Sequence, residues 1–241
     1  MTAVILAAGT GSRLRPLTDA LPKCLIPVGG RSILQRTIEN LLASGIEEIL
    51  IVTGYRSDQI HDSLLPRFHG ISLRFIVNTL FESTNNIYSL WLALQKIDSG
   101  PLILLDSDIV FDRRILDLLL RSGHESCLAI NSRHAMGEEE VKVRTGPDGA
   151  ILAIGKEMPP GAAAGESIGI ERFGEKSAGE LRSILDSMIV KEGQVQILYE
   201  AAFQKLIDDG GRVYAVDVGD LYSREIDTLD DLERARESLG G

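Results

Sequence analysis

Apolar residues run without a break through Ala3–Ala8 and stop at Gly9-Thr10-Gly11, the pattern of a strand buried on both faces that opens into a loop. Comparable runs at Glu48–Gly54, Leu73–Asn78 and Pro101–Asp106 predict three more strands. Between them the spacing turns helical. Ser32–Ser44 carries Ile33, Leu34, Thr37, Ile38, Leu41 and Leu42 toward one side and meets Gly45, a natural stop; Ser57–Leu65 reads as a short helix; Asn86–Ile97 gathers Ile87, Leu90, Trp91 and Leu94 on one face. Strand and helix in alternation predict a doubly wound α/β sheet, which holds ligands beyond the carboxyl ends of its strands.

After about residue 125 the rhythm changes. Residues 127–131, 141–144 and 151–154 are short strand candidates, with Gly146-Pro147-Asp148-Gly149 as a hairpin turn, so a small mixed β region is expected to cover the site. Pro159–Gly165 has the composition of a flexible connection. Helices are expected at Ala178–Glu192, Ile197–Asp209 and Leu229–Leu239, with a strand at Arg212–Val218. The length, 241 residues without an internal repeat, suits a single domain spanning 1–241, divided near residue 125 into two halves.

Charge and composition narrow the partners. With 25 Lys+Arg against 35 Asp+Glu the chain carries −10, which argues against a nucleic-acid polymer, whose binding depends on neutralising many phosphates. An anionic ligand must therefore meet a local basic site. Cys24 and Cys127 stand far apart with no zinc-type spacing, and a reducing, cytoplasmic setting is expected. The first residues lack a basic leader segment, and no apolar run approaches the roughly 20 residues that span a bilayer. No membrane insertion is expected; an oligomer stays open.

The segment Leu6-Ala7-Ala8-Gly9-Thr10-Gly11-Ser12-Arg13 ends a strand in small residues, so backbone N–H groups can approach a phosphate chain closely, and Arg13 adds a charge for phosphate oxygens. It is neither a Walker A loop nor the full GxGxxG fingerprint. Lys23 follows in Pro22-Lys23-Cys24-Leu25, where the proline stiffens the approach of its ammonium. Asp106-Ser107-Asp108 closes an apolar strand, where a carboxylate has no packing purpose and offers oxygen to a hard cation; an aspartate that merely opens a turn is the plainer alternative. Asp227 lies just before the last helix, which either Asp227 or Thr228 is placed to cap.

Leu6–Thr18 and Pro22–Gly29 closely resemble the LAAGxGxRLxPLT and PKxLxPVxG signatures of the nucleotidyltransferase superfamily. The resemblance implies a Rossmann-like, mostly parallel mixed sheet of the nucleotide-diphospho-sugar transferase type. Residues 1–125 would form the nucleotide-binding half, and 126–241 a β-rich lobe that binds the acceptor and completes the metal site. It also implies that Leu6, Ala7, Ala8, Gly9, Thr10, Gly11 and Ser12 hold the nucleotide, that Arg13 and Lys23 act on its phosphates as catalytic groups, and that Asp108 and Asp227 hold Mg²⁺, with Asp106 as the competitor for Asp108.

Thr84-Asn85-Asn86-Ile87-Tyr88-Ser89-Leu90 is similar to the NN-(I/F)-YSL segment of CTP:phosphocholine and 2-aminoethylphosphonate cytidylyltransferases. That likeness adds Asn85, Asn86 and Ser89 to the nucleotide site, although helix capping explains either asparagine equally well. Lys142-Val143, Lys156 and residues 165–170 resemble a subgroup that transfers cytidylyl groups to choline or inositol phosphates. An acceptor ammonium would want aromatic faces and a carboxylate, which makes Tyr88, Tyr199, Glu200 and Tyr222 candidates; Glu166 joins Tyr88, Tyr199 and Glu200 as an acceptor-binding residue, Trp91 suits core packing better, and Ala201 departs from the Glu-Asp of many relatives. The implied activity is transfer of CMP from CTP to a phosphorylated or phosphonylated alcohol or amine, phosphocholine or 2-aminoethylphosphonate among them, with release of pyrophosphate. The alternatives are a sugar-1-phosphate nucleotidyltransferase using UTP, dTTP or GTP, and a non-catalytic nucleotide-binding regulatory module.

Overall fold

The computed structural model describes residues 1–134 and 136–240. In chain order the elements are β1 (Thr2–Ala7), a small hairpin of β2 (Pro27–Val28) and β3 (Arg31–Ser32), α1 (Ile33–Ala43), β4 (Glu48–Thr53), α2 (Ser57–Leu64), β5 (Ser72–Val77), α3 (Asn86–Leu94), β6 (Leu102–Asp106), β7 (Ile109–Phe111) and α4 (Arg114–Arg121). The second half holds β8 (Cys127–Asn131), β9 (Lys142–Thr145), β10 (Ile151–Gly155), β11 (Gly165–Phe173), α5 (Glu175–Asp186), α6 (Glu200–Asp208), β12 (Tyr214–Asp217), β13 (Ser223–Glu225) and α7 (Leu229–Ser238).

A continuous nine-stranded sheet runs through both halves in the order β10-β9-β11-β6-β1-β4-β5, with β8 added to β11 and β12 to β8. The pairs β6-β1, β1-β4 and β4-β5 are parallel, as the alternating pattern predicts. β11 then runs antiparallel to β6, β8 and β9, and so joins the parallel half to the later strands. Its register slips between Ser167 and Glu171. At Gly169 the backbone has φ +71°, and a Cβ there would meet Asp106 Oδ2 at 2.7 Å, so the strand bends against the acidic end of β6.

The alternation along β1 sorts the core. Val4 and Leu6 pack with α3, α5 and α6, whereas Ala3, Ile5 and Ala7 point to the other face, with α1, α2 and α4. A third cluster of Leu14, Ile26, Val28, Ile33, Val110, Ile226, Leu232 and Ala235 ties the glycine loop to α7. Burying Leu14 completely contributes on the order of 2 kcal/mol and anchors the loop from below.

The structure adds elements that the sequence pattern does not predict, among them the β2-β3 hairpin and β13. Residues 107–125, for which the pattern predicts no element, form β7 and α4; α4 buries Ile115, Leu116 and Leu119 at helical spacing. β11 is the longest strand of the sheet, yet its glycines and polar residues hide it from an apolar-run argument. No helix among the described residues is long and apolar enough to cross a membrane.

Candidate active site

The carboxyl edge of the parallel strands carries the glycine loop. Gly11 sits in the left-handed region at φ 61°, ψ 39°, where it starts a single 3-10 turn over Ser12–Leu14. A Cβ at Gly11 would lie 2.8 Å from Lys23 Cβ and 3.1 Å from Thr18 Cγ2, so glycine is required by conformation and by space. Thr18 Oγ1 donates to the Gly11 carbonyl at 2.9 Å and Leu14 N–H donates to it at 3.0 Å. Gly9 has open space where its Cβ would stand. Lys23 begins another 3-10 turn whose next residues, Cys24 and Leu25, are buried, which leaves the lysine as the side chain turned back toward the loop.

A two-stranded ribbon brings the carboxylates together. β7 pairs antiparallel with β13, matching Ile109 to Glu225, and Ile226 N–H donates to the Asp108 carbonyl at 2.9 Å. Asp108 and Asp227, 119 positions apart in sequence, therefore face one another across the ribbon's end. Lys23 Nζ lies between them, 2.7 Å from Asp108 Oδ2 and 2.6 Å from Asp227 Oδ1, and Arg13 reaches Asp227 Oδ2 at 2.7 Å. The cap of α7 is Thr228, not Asp227: the Thr228 hydroxyl accepts from Asp231 N–H, and the Asp231 carboxylate accepts from Thr228 N–H at 2.9 Å. This frees the Asp227 carboxylate for the site.

The protonation balance follows from this packing. Burial works against the Lys23 ammonium, but Asp108 and Asp227 outweigh it and hold it above the ordinary lysine range. Burial also opposes the charge on Asp227, yet Lys23 and Arg13 keep that carboxyl below its usual value. Glu225 is exposed, but partial desolvation and the charges of Asp108 and Asp227 push it up to about 8. Oxygens of Asp108, Glu225 and Asp227 lie within 4.8 Å of one another, and Asp108 Oδ1 is buried with no hydrogen-bond partner. An all-carboxylate donor set with a buried unsatisfied oxygen suits a hard divalent cation.

Two cavities open on this cluster. One, of about 380 Å³, is lined by every residue expected at the nucleotide: Leu6 through Arg13, Lys23, Asn85, Asn86 and Ser89. The other, of about 520 Å³, lies on the side of the later strands, against Glu166, Lys156 and Glu200. Arg13, Asn86, Asp106, Glu225 and Asp227 line both.

Asn85 serves two ends, since its Oδ1 caps α3 by accepting from Asn86 N–H at 2.8 Å while its side chain borders the first cavity. Asn86 Oδ1 accepts from Tyr199 N–H at 2.9 Å. Tyr88 and Tyr199 line neither cavity. Tyr88 packs on Trp91 at 5.3 Å between ring centres, and Tyr199, 1 % exposed, donates its hydroxyl to Asp106 Oδ2 at 2.8 Å. That engagement turns both rings away from an acceptor. Asp106 is half-buried and pushed well above its usual range, first by desolvation and then by Asp108. Glu200, which is buried, is pushed up to about 7.

Sequence reasoning missed Glu225 as a metal-site member, and Asn78, Phe81 and Thr84 on the nucleotide side. Asn78 ends an apolar strand, the same signal that marks Asp106; its Nδ2 donates to Thr84 Oγ1 and Ser89 Oγ, both at 3.1 Å, and so stiffens that wall. Glu225 precedes Asp227 by two positions, a spacing that puts both on one side of extended chain.

The nucleotidyl transferase family profile matches residues 2–131. CMP-5'-(3-aminopropyl)phosphonate synthase of Streptomyces rubellomurinus is 29% identical over 97% of this chain, which spans 38% of that longer protein. CTP:phosphoglutamine cytidylyltransferase of Campylobacter jejuni is 28% identical over 97% of this chain and 98% of its own length. Among solved structures, the CTP:phosphocholine cytidylyltransferase from Streptococcus pneumoniae shares the fold with a TM-score of 0.79 at 24% identity, over 99% of this chain and 98% of that one.

Proposed function

Because the chain belongs to the nucleotidyl transferase family, we propose that it transfers CMP from CTP to a small phosphorylated or phosphonylated acceptor and releases pyrophosphate. The observation that carries this reading is the meeting of two cavities at Arg13, Asn86, Asp106, Glu225 and Asp227. A transfer between two bound substrates needs such a junction, and a binding module for one nucleotide does not. Two relatives that match almost the whole chain carry names of CMP-phosphonate synthesis and of cytidylyl transfer to a phosphorylated compound, which favours CTP and that acceptor class.

In this reading the glycine loop cradles the triphosphate, with Arg13 on its phosphate oxygens and Lys23 at the α-phosphate. An acceptor oxygen forms a bond to the α-phosphorus from the second cavity. The bond from that phosphorus to the oxygen bridging to the β-phosphate breaks, and pyrophosphate keeps the oxygen. The attacking group is already an anion, so no general base is needed, and the protein acts by positioning and by neutralising charge. Asp108, Glu225 and Asp227 are the residues that would hold Mg²⁺, which when bound supplies further positive charge to the phosphates. In the structure Lys23 provides the countercharge to the two aspartates, at 2.7 and 2.6 Å.

The test is pyrophosphate release with Mg²⁺, crossing CTP, UTP, dTTP, ATP and GTP against phosphocholine, 2-aminoethylphosphonate, inositol 1-phosphate and glucose 1-phosphate. Release with CTP and one of the first three acceptors is expected. Release only with glucose 1-phosphate would move the chain to the sugar-1-phosphate branch.

A further inference from the structure

Most of the charged side chains around the second cavity have a partner. Arg13 is tied to Asp227 at 2.7 Å, Lys156 to Glu139 at 3.5 Å and Arg224 to Asp231 at 3.6 Å, and His134 lies 3.4 Å from Glu166. Asp106 takes the Tyr199 hydroxyl, and Glu140 accepts from Gly137 N–H at 2.7 Å. Glu225 belongs to the cluster where the two cavities join. Glu200 remains. It lines the cavity, it is 9 % exposed, its Oε2 has no hydrogen-bond partner, and Lys156, whose charge acts on it, is tied to Glu139 and stands beyond ion-pair distance.

The apolar part of that wall is aliphatic. Val141, Ile168 and Leu198 line it, and among the described residues no Phe, Tyr or Trp does. A buried carboxylate oxygen without a donor is costly unless a ligand supplies one. A trimethylammonium group carries no N–H and is held chiefly by aromatic faces, which this wall lacks. A hydroxyl donates one hydrogen bond but brings no charge. A primary ammonium brings three N–H donors and a full charge.

We infer that the acceptor ends in a primary ammonium, bound by Glu200 with Glu166 near by, and that this cavity selects it over a trimethylammonium or a hydroxyl. The inference rests on the proposed cytidylyl transfer only for the identity of the acceptor's other, phosphorus-bearing end.

The experiment is a matched series of 2-aminoethylphosphonate, 2-hydroxyethylphosphonate and the N,N,N-trimethyl form of the amine, assayed for pyrophosphate release with CTP and Mg²⁺ in the wild type and in Glu200→Gln. The amine is expected to exceed both analogues in kcat/KM by about tenfold or more, the size of one charge-assisted hydrogen bond. In Glu200→Gln that preference is expected to fall to about threefold or less, with the change in KM more than in kcat. An equal or better trimethyl or hydroxyl acceptor, or a preference that survives in Glu200→Gln, overturns the inference; should the variant fail to fold, the wild-type series still decides. Calorimetric titration of the wild type with the same compounds separates the two readings. Amine-selective binding without turnover keeps the inference and overturns the cytidylyl transfer, turnover without amine selectivity does the reverse, and unselective or absent binding without turnover overturns both.

Discussion

The two cavities are built on different principles. The wall on the nucleotide side comes largely from one contiguous stretch, residues 6–13, at the carboxyl edge of parallel strands, and its polar groups are satisfied within the protein: Asn78 binds Leu80 N–H, Thr84 and Ser89. Asp108 Oδ1 is the one buried side-chain polar atom on that wall without a partner among the described residues. The wall on the other side is assembled from separate segments at residues 134, 139–141, 156, 166–169, 198–200 and 223–231. Glu200, Ser223 and Arg224 there carry unpartnered buried atoms, and Glu171, in the bent β11, has both carboxylate oxygens unpartnered. A satisfied wall suits a ligand common to a whole family, and a wall with unmet polar groups suits a ligand that must supply what is missing.

The largest effects should appear where the walls meet. Asp108→Asn is expected to lower kcat by about 10²–10³-fold, as removing one well-placed charge at a transferring group does. Chelation of divalent metal is expected to stop pyrophosphate release, and added Mg²⁺ to restore it. Lys23→Ala should act on kcat to a similar degree; circular dichroism on both variants checks that the fold is kept. Near-normal turnover in Asp108→Asn would remove Asp108 and the metal from the chemistry.

Gly11→Ala should separate the two walls. An alanine there has a left-handed φ and a Cβ 2.8 Å from Lys23, a strain of about 1–2 kcal/mol or more. KM for CTP is expected to rise about tenfold, while KM for the acceptor changes little. Equal rises for both substrates would mean that the walls are mechanically one unit.

A smaller effect should come from the unsatisfied wall through stability. Burial, with Asp106 and Glu200 adding to it, pushes the Glu171 carboxyl well above the usual glutamate value of 4.5. The folded protein therefore holds a proton that the unfolded chain releases, and stability is lost as pH rises from about 4.5 toward the folded value. Glu171→Gln removes that penalty. Its Tm is expected to exceed that of the wild type at neutral pH, by about 2–4 °C for each kcal/mol relieved, and the gain should vanish near pH 4.5. A gain independent of pH would refute the burial argument. Thr228→Ala, which deletes the cap of α7, is expected to lower stability by about 1 kcal/mol, read by denaturant melting.

The parallel core was legible from sequence because each of its signals is local: an apolar run makes a buried strand, and helical spacing makes the helix that covers it. The glycine loop and Lys23 were legible for the same reason, since a tight turn after a strand and a stiffened lysine need only their neighbours. β11 was not legible, because it bends at Gly169 and is held on both edges by other strands, so its stability lies in pairing and not in its own composition.

The chain's order of residues thus determined the elements of the parallel core, where the phosphate-friendly loop stands and which carboxylates end their strands. Only the tertiary structure decided which carboxylates face each other. The pairing of β7 with β13 sets Asp108 beside Glu225 and Asp227 across more than a hundred intervening positions. The choice of Thr228 as the cap leaves Asp227 free, and the insertion of the Tyr199 hydroxyl onto Asp106 takes that ring from the acceptor wall. These are outcomes of strand register and of competition for buried hydrogen bonds, and both depend on groups far apart in sequence that meet only when the sheet closes.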